Sequence, residues 1–109
     1  MNEIEKLAEM FKVLADPTRL RLVTLLNTRA LAAGEIDECG SGPLCVNALA
    51  HRLGITQSAV SQHLRILKQA GLVRGERRGS FMHYSLNQAG LEHYKALFLE
   101  ALEEKSVSS

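Results

Sequence analysis

TQSAVSQHLRILKQA, residues Thr56–Ala70, carries opposed faces when wound as an α-helix. At about 100° per residue, Ser58, Ser61, Gln62, Arg65 and Gln69 fall within one narrow arc. Val60, Leu64 and Leu67 lie opposite, flanked by Ala59, His63, Ile66 and Ala70. One face is therefore apolar enough to join a core. The other offers hydroxyls, amides and a guanidinium, with no carboxylate among them. An ordinary solvated face mixes in Glu or Asp, whereas this set is what base edges and phosphates hydrogen-bond to.

The flanking sequence gives that helix its setting. Leu44 or Cys45 opens a short third helix that runs to Leu53, with Val46, Leu49 and Leu53 turned inward. Gly54-Ile55 makes a tight turn, Thr56 is a good N-cap, and Gly71 closes the Thr56–Ala70 helix. Leu72-Val73-Arg74 and Phe81–Leu86 then read as strands, with Glu76-Arg77-Arg78-Gly79-Ser80 at or near the tip between them. The order predicts a mainly α chain with a small β-hairpin. A helix-turn-helix spans residues 44–71, and a wing follows over residues 72–86.

Further out lie two amphipathic helices. Ile4, Leu7, Ala8, Phe11, Leu14 and Ala15 recur at helical spacing over residues 1–15. Asp16-Pro17 ends that helix and caps a second, whose core face is read as Leu20, Leu22, Val23 and Leu26. A weak continuation runs through Ala30–Ala33 to Gly34, and residues 35–43 form a Gly- and acid-rich loop. Leu91, Tyr94, Leu97, Phe98, Ala101 and Leu102 line one side of a last helix over residues 88–105. The terminal helices either cover each other within a monomer or form a two-fold interface through Leu7, Phe11, Leu91, Tyr94, Leu97, Phe98 and Leu102. The dimer is the better reading, because recognition helices work best in pairs one duplex turn apart.

Composition narrows the function. The 109 residues are expected to form a single domain, 1–109, with a net charge of only +1. That small sum hides a partition: residues 39–91 hold six Lys/Arg against Glu76 alone, while both flanks are net acidic. A basic centre between acidic helices favours a polyanion at the middle of the molecule. Trp is absent and aromatics are few, which argues against stacking on single strands. No apolar run reaches the roughly 18–20 residues of a membrane span, and no signal-peptide pattern opens the chain. The expectation is a cytoplasmic protein with no membrane partner, whose two cysteines are thiols rather than a structural disulfide.

LADPTRLRLVTLL (Leu14–Leu26), SAVSQHLRILKQAGLV (Ser58–Val73) and RRGSFMHYSL (Arg77–Leu86) together resemble the ArsR/SmtB family of winged helix-turn-helix transcriptional repressors. The resemblance implies a homodimer of five-helix subunits with a hairpin between the fourth and fifth helices. It implies a pseudo-palindromic double-stranded DNA operator, released when an inducer binds. The family's recognition positions fall on Gln57, Ser58, Ser61, Gln62 and Arg65, coinciding with the stripe derived from periodicity. Arg77 and Arg78 at the wing would grip backbone or enter the minor groove, with Lys68 and Arg74 adding positive charge beside them. The alternative is a solvated polar face beside a basic hairpin.

The inducer is less clearly written. The family's thiol stretch, often ELCVCDL, here reads PLCVNAL (Pro43–Leu49), so Cys45 is kept and Asn47 replaces the second cysteine. The positions of its last-helix metal site fall on Gln88, Gly90, Ala101 and Glu104, of which only Glu104 can bind a metal. Cys39 and Cys45 share one Gly/Pro-bearing loop and are close enough to meet. A pair of thiolates suits a trivalent organoarsenical or Hg(II); inorganic arsenite wants a third thiolate. Glu38, Asp37 or His51 could add a hard ligand and turn the site toward zinc or cadmium. The pair could also oxidise as a redox switch, or be inert, in which case the regulator is constitutive. No resident cofactor is required. A bond at Cys45 would reach DNA through the third helix, which packs on the recognition helix.

Three histidines and one enzyme reading remain. His63, on the apolar edge, is read as a packed histidine, and His83 and His93 as ordinary surface or interface residues. A thiol enzyme with Cys45 as nucleophile and His51 as base is rejected, since nothing orients His51 and no oxyanion hole is evident. A winged protein-interaction module is the remaining alternative, separable by the salt dependence of duplex binding.

Overall fold

The computed structural model describes residues 2–28 and 44–103. The weak extension of the second helix past Thr28, the 35–43 loop, Cys39 and the end of the last helix beyond Glu103 lie outside the described residues.

Helix α1 (Glu3–Leu14) starts where the Asn2 side chain accepts a hydrogen bond from the Glu5 amide at 2.8 Å. Glu3 and Glu5 in its first turn and Lys12 in its last suit the helix dipole. Asp16 then caps α2 (Pro17–Thr28), accepting from the amides of Thr18 at 2.8 Å and Arg19 at 3.1 Å, with Pro17 at the first helical position. Leu22 and Leu26 of α2 are buried and Val23 packs against the core as expected, but Leu20 is 48 % exposed and does not join them. Apolar residues crowd α2 on several sides, and the packing of α1, α4 and the sheet against it selects which go in.

The third helix begins one or two residues later than expected. Leu44–Cys45 form a short strand, β1, and α3 spans Val46–Leu53 with Cys45 as an extended N-cap. Pairing β1 with a neighbouring strand satisfies backbone groups that an earlier helix start would have left to find other partners. Helix α4 (Gln57–Gln69) follows, with the Thr56 hydroxyl accepting from the Ala59 amide at 3.1 Å. Both helices of the pair end in the same way. At Gly54 (φ +68) the Ile55 amide reaches the Ala50 carbonyl; at Gly71 (φ +78) the Leu72 amide reaches that of Leu67. Those six-residue closures need a left-handed residue, which glycine supplies at no steric cost.

Strands β2 (Val73–Arg78) and β3 (Phe81–Leu86) make the wing, in register from Val73↔Leu86 to Arg78↔Phe81. Its tip is only Gly79-Ser80, with Gly79 at φ +61, where a two-residue hairpin takes glycine first. The first strand is longer and the tip shorter than the sequence suggested, while the second strand has the bounds expected. The sheet has three strands in the order β1-β3-β2, all antiparallel neighbours, rather than two. Helix α5 (Gln88–Leu102) packs on α1. The core joins Leu7 and Met10 of α1, Leu22 and Leu26 of α2, Leu49 of α3, Val60, Leu64 and Leu67 of α4, Leu72, Val73 and Leu97.

Candidate nucleic-acid interface

The polar arc of α4 is exposed along its length. Gln57, Ser58, Ser61, Gln62, Arg65, Lys68 and Gln69 all face solvent, while Val60, Leu64 and Leu67 are fully buried. Ala59, His63, Ile66 and Ala70 occupy the half-buried margins. Core packing on one side thus fixes which side chains the helix holds outward. The wing adds Arg74, Arg77 and Arg78, all exposed. Arg78 Nη2 lies 3.5 Å from Glu76 Oε2, so this arginine shares its charge with the wing's single carboxylate. A surface-exposed pair of that kind is weak and leaves the guanidinium recruitable by phosphate. Under the helix-turn-helix corner, Asn47, Ala50, His51, Gly54, Ile55, Thr56 and Gln57 line a groove of about 500 Å³.

Two buttresses orient this surface. Midway along α4, His63 is half-buried, and Arg19 Nη1 lies 3.3 Å from its Nδ1. Guanidinium is a donor only, so Nδ1 accepts and the ring proton sits on Nε2. Arg19 Nε donates to the Val13 carbonyl at 2.7 Å, so one side chain ties the end of α1 and the start of α2 to the recognition helix. Asp16 sits beneath it with its carboxyl held below the ordinary aspartate range. The Arg19 backbone hydrogen bond is the main cause, and the Thr18 amide and the charge of Arg19 act in the same direction, against partial desolvation. The second buttress grips the C-terminal end of α4. Asn87 Nδ2 donates to the Gly71 carbonyl at 3.0 Å, the Asn87 amide donates to the Leu72 carbonyl at 2.9 Å, and Tyr94 Oη donates to the Ala70 carbonyl at 2.8 Å. A Cβ at Gly90 would overlap the Gly71 carbonyl oxygen. Sequence reading missed Asn87 and Gly90; the signal was Asn three residues before Gly at a helix start.

The terminal helices divide their apolar residues between two tasks. Leu7 and Leu97 are largely buried in the chain's own core, reaching the surface only at a small pocket between α1 and α5 that Ile4 and Ala101 also line. Leu91 and Tyr94 are half-buried against that core, Tyr94 through the α4 bond above. Phe11 and Phe98 meet edge to face at 5.0 Å and remain 43 % and 39 % exposed. With Leu102 they are joined by Ile4 and Leu99, both exposed, which the sequence reading left out.

The cysteine expectation also needs correction. Cys45 is buried and disulfide-bonded, where free thiols were expected. Cys39, the chain's other cysteine, lies outside the described residues. Among the described residues no group of three His, Cys, Asp or Glu side chains comes together as a metal cage. His51 is exposed on α3, and on α5 Gln88, Gly90 and Ala101 offer no ligand in place of the family's metal residues. His83 is not a surface residue: it is 2 % exposed, on a strand against which α2 and α3 pack. His93 is exposed and lies against Tyr94, ring centroids 5.9 Å apart.

A helix-turn-helix with an outward polar recognition face, a basic wing and a closing helix defines a winged DNA-binding transcriptional regulator, not an enzyme. Residues 39–74 match the model for bacterial regulatory proteins of the arsR family. The chain is 35 % identical over 83 residues to the transcriptional repressor SdpR of Bacillus subtilis, covering 76 % of this chain and 78 % of that one. It is 38 % identical to the arsenic resistance transcriptional regulator ArsR1 of Pseudomonas putida, over 80 % of this chain and 59 % of that protein. A crystal structure of a possible transcriptional regulator for arsenical resistance superposes with a TM-score of 0.66 at 39 % identity, covering 85 % of this chain and 83 % of that one. The chain belongs to the arsR family. No helix among the described residues is long and apolar enough to cross a membrane.

Proposed function

We propose that this protein is a homodimeric, sequence-specific repressor that holds a pseudo-palindromic operator and releases it when a thiol-reactive inducer engages Cys39 and Cys45. The observation that carries the DNA reading is the exposed, carboxylate-free face of α4, together with the exposed wing arginines. Gln62 is suited to an adenine edge, Arg65 to guanine or phosphate, Gln57, Ser58, Ser61 and Lys68 to phosphate or base, and Arg74, Arg77 and Arg78 to backbone or minor groove. The exposed Phe11–Phe98 pair with Ile4, Leu99 and Leu102 supports a two-fold contact between subunits. A relative named as a transcriptional repressor supports the regulatory reading, and one named as an arsenic resistance regulator supports an arsenical among the inducers, which are drawn from metalloids, organoarsenicals and soft metal ions.

Cys45 caps α3, and α3 packs on α4, so a bond made at Cys45 acts one helix away from the reading face. A ligand that binds the DNA-incompetent arrangement better would shift the population toward release. The disulfide at Cys45 carries a second reading, release on oxidation.

Anisotropy of labelled promoter duplex tests all of this. Affinity that falls steeply with salt supports DNA recognition, and salt-independent or absent binding overturns it in favour of a protein-docking module. The reduced complex is then titrated with arsenite, an organoarsenical, Cd(II), Hg(II), Zn(II) and an oxidant, with Cys39→Ser and Cys45→Ser in parallel. Release by a metal or metalloid, lost in both variants, supports the inducer site. Release by oxidant alone favours the redox reading, and no release by any of them leaves a constitutive binder.

A further inference from the structure

Most of the exposed large apolar side chains among the described residues lie on the terminal helices α1 and α5, and Leu20 lines a groove between α2 and α3. Phe81 belongs to neither group. It is 43 % exposed and follows directly on the Gly79-Ser80 tip of the wing.

The strand pairing explains why it stands there. β1 pairs with Tyr84 and His83 and then leaves the sheet, because Val46 starts α3. The last two rungs of the hairpin, Arg77↔Met82 and Arg78↔Phe81, therefore project past the third strand as a two-stranded ribbon. Residues directly opposite on antiparallel strands share a face, with Cβ atoms about 4.5–5.5 Å apart. Phe81 thus shares its face with Arg78, while Arg77 leaves from the other. The ring is held on one edge: its centroid lies 6.4 Å from that of buried His83, the two planes at 81°. An aromatic side chain already braced in this way loses little entropy when its exposed surface is covered.

The surroundings select the partner. Arg74, Arg77 and Arg78 are exposed on the wing against Glu76 alone, so the apolar ring is set in a basic surface. A DNA groove matches that combination, since cations meet its phosphate walls and a ring meets sugar and base faces. The minor groove, about 6 Å wide, excludes the ribbon as a whole and admits side chains from its end. Apolar side chains that enter there separate base steps, and pyrimidine–purine steps yield most readily.

We infer that Phe81 is a minor-groove wedge, brought to the duplex by the wing arginines, that partly unstacks a flexible step flanking each half-site. This rests on the DNA reading above and adds a means of selection that needs no hydrogen bond to a base edge. An operator with TA at that step is bound more tightly than one with a stiff A-tract, which costs more to open.

The test uses the full chain and promoter duplexes whose flanking step is TA or part of an A-tract, with 2-aminopurine replacing each flanking adenine in turn. Its fluorescence, which rises on unstacking, is read with wild type and does not depend on any variant folding. Affinity against salt is then measured for wild type, Phe81→Leu and Phe81→Ala. Brightening on the TA duplex is expected, and Phe81→Leu should keep most of it. Phe81→Ala should bind that duplex about 10-fold more weakly at every salt concentration, with the logarithmic salt slope unchanged, because an apolar contact releases no counterions. Silent 2-aminopurine with wild type, or equal affinities of Phe81→Ala and wild type, overturns the wedge and leaves DNA recognition standing. A loss in Phe81→Ala that comes with a smaller slope also overturns it, since the ring would then act only by placing arginines. Absence of salt-dependent binding by wild type overturns the DNA reading, and this inference with it.

Discussion

Arg19 sits where three helices meet, and its geometry sets what a single substitution should do. Its Nε and Nη1 donate to the Val13 carbonyl and to His63. Arg19→Met keeps much of the aliphatic stem and removes both donors, leaving a carbonyl and an imidazole nitrogen short of a partner. Urea unfolding should show a loss of about 1.5–3 kcal/mol, toward the lower end because the site is only part-buried. A loss indistinguishable from zero would mean that water replaces the guanidinium without penalty. Asp16 makes a prediction in pH. Its folded pKa lies below the ordinary 3.8, so its contribution is fully present above that value and is lost as pH falls through the folded value. The stability gap between wild type and Asp16→Ala should therefore be constant near neutrality and close progressively in acid. On DNA, Arg65→Ala should lower the logarithmic salt slope by about one if Arg65 holds a phosphate. If it reads guanine instead, the cost should be about 1–3 kcal/mol and confined to operator sequence.

At the scale of elements, the recognition helix is clamped at its far end by α5, and Gly90 and Tyr94 are where that clamp can be loosened. Alanine at a helical position is ordinarily favoured over glycine by about 1 kcal/mol. At Gly90 the added Cβ meets the Gly71 carbonyl, and backbone cannot yield as a flexible side chain would. Gly90→Ala should therefore destabilise, by about 1–3 kcal/mol, against the sign of helix propensity. Tyr94→Phe removes one hydrogen bond to the Ala70 carbonyl and should cost about 1 kcal/mol. If both variants keep wild-type thermal midpoints, α5 does not hold α4. The same elements show what a sequence can and cannot disclose. The α4 stripe, the Thr56 cap and the Gly54 and Gly71 stops were legible because each is decided within a turn or two of chain. Strand β1 was not, since Leu44–Cys45 has no periodicity and becomes a strand only by pairing with Tyr84 and His83. The burial of His83 depends on α2 and α3 packing against its strand, which no local pattern announces. Leu20 and Leu22 were both apolar candidates on α2, and only the tertiary packing chose between them.

Across the whole molecule, charge and apolar surface are separated in a way that assigns a job to each end. The basic centre of the sequence holds the exposed α4 face and the wing, while the acidic terminal helices carry the exposed Ile4, Phe11, Phe98, Leu99 and Leu102. Acidic flanks discourage the phosphate backbone from the wrong side, and paired phenylalanines left in water favour a second copy. Phe98→Asp tests that division. Phe98 is outside the buried core, so the subunit should still fold, with a circular dichroism spectrum like that of wild type. A carboxylate within the apolar strip should make self-association unfavourable, and sedimentation should report a monomer. The α4 face and wing remain, so salt-dependent attraction to any duplex should persist. What should disappear is the advantage of the operator, because two reading heads no longer bind as one unit with a fixed half-site spacing. A variant that stays dimeric would move the interface elsewhere. A monomer that keeps full operator preference would show that one recognition helix and one wing suffice.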